Sequence, residues 1–85
     1  MSDKVEKTVN LPNGFRIAIS WKPVQKELKL QVLDANDTEF DVVRISVRKK
    51  SELDRSLLLE AFITRNNLRG KPATEIMSKL GEITY

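Results

Sequence analysis

The side chains in this chain that could do chemistry are mostly cationic, and the chemistry open to them is holding an anion. The 85 residues include no histidine and no cysteine. That removes the usual general base, the commonest zinc ligand and any disulfide or thiolate site. The serines are scattered with no imidazole to activate them, and no lysine–carboxylate pair is arranged for acid–base work. The acidic run Asp34, Asn36, Asp37, Glu39, Asp41 fails as a calcium loop. Glu39 stands where a glycine is needed, and Ile45 where a bidentate glutamate is needed. Gly70-Lys71 has no upstream glycine and no strand before it, so it is no phosphate loop. The expectation is a binding protein rather than an enzyme, with no cofactor and no metal.

The cations that carry that expectation are Arg16, Lys29, Arg44, Arg48, Lys49 and Lys50. They sit in or just beyond segments that alternate apolar and polar residues. Phe15, Ile17, Ile19 and Trp21 share one side of residues 15–21, opposite Arg16, Ala18 and Ser20. Leu28, Leu30 and Val32 share one side of residues 27–33, opposite Glu27, Lys29, Gln31 and Leu33. Val43, Ile45 and Val47 share one side of residues 42–48, opposite Val42, Arg44, Ser46 and Arg48. A period of two marks strands with one buried face. In a common sheet the outward face presents Arg16, Lys29, Arg44 and Arg48 against Glu27. Lys49, Lys50 and Arg55 continue the basic series past the last strand.

The remaining elements complete an α+β domain. Lys7–Leu11 reads as a first strand, and Pro12-Asn13-Gly14 as the turn of a hairpin onto Phe15 and Ile17. Pro23 interrupts the ladder between the second and third strands. Asp34–Asp37 turns the chain into the fourth. Phe40 and Val43 have opposite parity, so one points outward unless a bulge near Asp41–Val42 realigns them. Ser51 is placed to cap a first helix over 51–67, with Leu53, Leu57 and Ala61, and Leu58 and Phe62, on its buried arc. A second helix over 72–81 follows, opened by Pro72 or capped by Thr74, with Ile76 and Leu80 in its core stripe. Gly81 is placed to end it. Residues 1–6 are expected to fray. The predicted fold is a single domain: a four-stranded antiparallel β-meander followed by two C-terminal α-helices packed on one sheet face, ββββαα.

Size and composition bound the function. A chain of this length buries roughly 60–65% of its unfolded surface, enough for one modest core and little cleft. The net charge of +3, from 15 basic and 12 acidic residues, permits an anionic partner without demanding one. No stretch reaches the ~18 apolar residues of a membrane span, and the N-terminus has no signal-peptide core. A cytoplasmic protein is expected, and the cysteine-free composition suits a bacterial or phage source.

Two binding readings follow. Arg44 to Arg55 is a local concentration of positive charge that fits nucleic acid, DNA or RNA, with Arg16 and Lys29 as further phosphate contacts. Wet sheet faces carry such residues in any case, and with Trp21 the only reachable aromatic, stacking on bases is not expected. Residues 42–80 run strand, helix, turn, helix, an order that loosely resembles the ribbon-helix-helix repressors. That resemblance implies a strand paired across a dimer, with Arg44, Ser46 and Arg48 reading bases. It covers about half the chain, and three strands precede the matching one, so the chain is not assigned to that family. The second reading is an acidic protein partner, or a second copy in a homodimer, bound at a sheet edge or at Met77, Ile83 and Tyr85 on the C-terminal helix. Such a module suits an adaptor, an inhibitor or a phage-encoded antagonist of a host protein.

Overall fold

A computed structural model describes residues 4–84, apart from the side chains of Lys50, Asp54 and Thr84. It has four strands, β1 (Val5–Asn10), β2 (Arg16–Lys22), β3 (Glu27–Leu33) and β4 (Glu39–Ser46). Three helices follow, α1 (Lys50–Asp54), α2 (Leu57–Arg65) and α3 (Lys71–Thr84). The sheet is an antiparallel meander in the order β1-β2-β3-β4, so β1 and β4 are both edges. The chain is thus α+β, a four-stranded sheet followed by C-terminal helices.

The hairpin turn forms as its residue types dictate. Gly14 takes φ +88°, its N–H bonds the Leu11 carbonyl, and Asn13 Oδ1 accepts from the Phe15 amide. Val9 is thereby set opposite Ile17. The first strand begins at Val5, two residues before the expected start, because Val5 and Glu6 pair with Trp21 and Ser20 instead of fraying. In the β3–β4 turn, Asp34 Oδ1 accepts from the Asn36 and Thr38 amides. This Asx turn lets Asp37 adopt φ +66°.

The inner face carries Ile17, Ile19, Trp21, Leu28, Leu30, Val43 and Ile45 into a core closed by Leu59, Phe62, Ile76 and Leu80. α2 lies under β4, and α3 lies under β1 and β2. The bulge falls one residue earlier than expected. Val32 faces Asp41 and Leu33 faces Glu39, which leaves Phe40 as the extra residue. Phe40 remains exposed and stacks on Phe15, the ring centroids 5.1 Å apart.

The first helix departs most from expectation. In place of one helix over 51–67 there is a break at Arg55–Ser56. Ser56 takes an extended conformation and its hydroxyl accepts from the Leu59 amide, capping a new helix. Lys49, not Ser51, occupies the cap position of α1, and no side-chain bond caps that helix. The break resets the helical phase. Leu59 and Phe62 point inward, while Leu57, Leu58 and Ala61 face solvent. The last helix is longer than expected, running through Gly81 to Thr84. Thr74 lies inside its first turn, where its hydroxyl donates to the carbonyl of Gly70, the residue before the helix.

Candidate anion-binding edge

The register decides which cations share a site. On the outer face, Lys29 stands directly opposite Arg44, in a row that continues through Ser20 to Glu6. Arg16 lies four residues up β2 from Ser20, about 13 Å away along the strand. It is also committed, because its guanidinium forms an ion pair with Asp37. Arg16 is therefore not brought together with Lys29 and Arg44, and the outer face is not one continuous basic patch.

The acidic residues of the 34–41 segment are spent on structure. Asp37 holds Arg16, and Glu39 accepts from Gln31 Nε2 at 2.7 Å. Asp41 accepts from Arg65 Nε at 2.5 Å, from Arg65 Nη2 at 3.0 Å and from Asn66 Nδ2 at 2.7 Å. Those bonds, led by the Arg65 guanidinium, hold the Asp41 carboxyl at about 2, well below its ordinary range. The same pairing raises the Arg65 pKa. The contact ties α2 to the sheet.

What is left over is informative. Among the described residues, the ion pairs are Lys4–Glu6, Lys7–Glu82, Arg16–Asp37 and Arg65–Asp41. None uses Lys29, Arg44, Arg48, Lys49 or Arg55. Arg44, Arg48, Lys49 and Arg55 are exposed, and Lys29 is half-buried. Like charges directly opposite each other on a sheet are unfavourable. An anion placed between Lys29 and Arg44 would relieve that repulsion. Lys50 opens α1, and its side chain lies outside the described set.

Two of these cations, Arg44 and Arg55, line an open groove of about 700 Å³ between β4 and the α1–α2 corner. Arg44 and Ser46 line one side; Ser51, Glu52 and Arg55 come from the corner; Leu57 and Leu58 complete it. Leu57 is 79% exposed and Leu58 is 56% exposed. Leaving a leucine in water forgoes about 1.5–3 kcal/mol of burial, so two adjacent ones beside a groove are a feature to explain. A single continuous helix over 51–67 would turn both inward, and the break at Arg55–Ser56 leaves them outside. The available signal was Ser56, an N-cap residue type directly ahead of them.

The alternative site is partly withdrawn into the fold. Met77 and Ile83 are half-buried and packed against the core, and Tyr85 lies outside the described residues. Trp21, expected to be the reachable aromatic, is 3% exposed, and Phe40 takes that role at 60%. Phe40 lies at the far end of β4 from the groove. The described residues contain no cluster of carboxylates able to hold a metal ion, and no helix long and apolar enough to cross a membrane. No protein-family profile, curated protein or solved structure matches this chain.

Proposed function

We propose that this protein is a non-enzymatic binding module that recognises an acidic protein partner at the β4 edge and the β4–α1 turn. The observation carrying this reading is the coincidence of uncommitted cations with exposed leucines around one groove. A carboxylate-bearing protein segment satisfies both, through ion pairs to Arg44 and Arg55 and apolar contact with Leu57 and Leu58. A phosphate backbone satisfies only the first.

Nucleic acid is the second reading. The exposed series Arg44, Arg48, Lys49, continued in sequence by Lys50, supports it. Against it stand the removal of Arg16 from the patch and the distance of Phe40 from the cations, which leaves no stacking platform beside them among the described residues.

An NMR titration of isotope-labelled protein separates the two. Short single- and double-stranded DNA and RNA are compared with an acid-rich polypeptide at low and moderate salt. The proposed reading expects polypeptide-induced shifts at Arg44, Ser46, Arg55 and Leu57 that persist at moderate salt. Shifts confined to Arg44–Lys49 on adding nucleic acid, and lost steeply with salt, would replace it with the second reading.

A further inference from the structure

The groove has a backbone wall as well as side chains. The Val47 amide bonds the Lys26 carbonyl, and the β3–β4 register continues from that pair. Antiparallel alternation then turns the backbone groups of Ile45 and Val43 toward β3, and those of Arg44 and Ser46 toward the open side of β4. The next outward amide, that of Val42, is taken by Asp41 Oδ1 at 2.9 Å. The open edge is therefore usable over Arg44–Ser46, the stretch that lines the groove.

Resting on the acidic-partner reading above, we propose that the partner enters as an extended segment of alternating acidic and apolar residues, added to β4 as a fifth strand. Its backbone pairs with the outward N–H and C=O groups of Arg44 and Ser46. Side chains on its upper side meet Arg44 and are acidic. Side chains on its lower side descend toward Leu57 and Leu58 and are apolar. The leucines stay exposed in the free chain because they are the floor of this added strand's site.

Charge selects the occupant. A second copy pairing β4 to β4 in registers centred on Arg44, Ile45 or Ser46 places Arg44 opposite or diagonal to an arginine of the other copy. Among the described residues the groove is lined by one carboxylate, Glu52, against two guanidinium groups, Arg44 and Arg55. A foreign acidic strand avoids the arginine–arginine contact, and Arg44 with Arg55 outweighs the single carboxylate of Glu52, so its net interaction with the groove is attractive.

The test uses a synthetic peptide of about eight residues, matching a typical strand, that alternates glutamate with valine. A lysine–valine peptide and a short DNA serve as comparators. Ser46→Pro removes an outward N–H without breaking a bond to β3, so the sheet survives while strand addition does not. Expected results are protection of the Arg44 and Ser46 amides from exchange by the acidic peptide, at least a ten-fold loss of its affinity in Ser46→Pro, and a several-fold loss in Leu57→Ser. The variant spectra confirm folding. Wild-type affinity in a folded Ser46→Pro, with loss in Arg44→Ala, would overturn strand addition and leave the acidic-partner reading standing. No peptide binding, with salt-sensitive shifts on adding DNA, would overturn both.

Discussion

Asp41 shows how a single residue's chemistry is set by what surrounds it. It is the acid that the sheet spends to hold α2, and its pKa of about 2 lies below the ordinary value of 3.8. A carboxylate whose pKa is depressed on folding stabilises the fold fully above its unfolded pKa. That contribution is lost as the pH falls through the folded value. Thermal unfolding followed between pH 5 and pH 2 is therefore expected to show a decline concentrated below about pH 4. Asp41→Asn is expected to flatten that decline and to cost about 1 kcal/mol at neutral pH, read from urea denaturation. The same scale separates two kinds of large apolar residue. Phe62→Ala, at a fully buried position, should cost about 3–5 kcal/mol. Leu57→Ser should leave stability within about 0.5 kcal/mol, since little of Leu57 is buried to lose. A large loss in Leu57→Ser would show that the side chain supports the fold rather than awaiting a ligand.

At the scale of elements, legibility followed local chemistry. Alternation of period two located three of the strands, and Pro12-Asn13-Gly14 set the first beside them in a hairpin, because both signals are written within a few consecutive residues. The helical region was harder to read, because Leu53, Leu57 and Ala61 fit one continuous amphipathic helix as well as Leu59 and Phe62 fit a reset one. Ser56, whose hydroxyl caps the second helix, is a local signal for the reset, while the bonds of Arg65 and Asn66 to Asp41, twenty-four and twenty-five residues earlier in the chain, are a tertiary constraint. Pattern within a window of a dozen residues does not contain that constraint. The candidate site inherits this asymmetry. Arg44, Arg48 and Lys49 were legible as exposed cations, whereas Leu57 and Leu58 were hidden by the missed break, and the loss of Arg16 to Asp37 depended on the shape of the β3–β4 turn. Ser56→Ala tests the break directly. It should cost about 1 kcal/mol through the lost bond to the Leu59 amide, measured by chemical denaturation, with Ser56→Asp restoring most of it.

Along β4 and the turn that leads into it, charge is sorted, the acids at one end and the free cations at the other. Asp37, Glu39 and Asp41 are consumed by internal partners, and their consumption strands positive charge at the opposite end of β4. Exposed charges act at range and set encounter rates, while apolar contact and backbone pairing act only once a complex has formed. Arg44→Ala combined with Arg48→Ala should therefore lower the association rate for the acidic peptide several-fold and flatten its salt dependence. Leu57→Ser should act instead on dissociation, because its contact exists only in the complex. Surface plasmon resonance at two ionic strengths reads both rates. If nucleic acid is the ligand, the double substitution should weaken every sequence about equally and reduce the slope of log K against log salt by about two, while Leu57→Ser changes nothing. The leucine thus discriminates where the arginines do not. Both ligands need the positive charge, but only a protein segment has a use for the apolar floor beneath it.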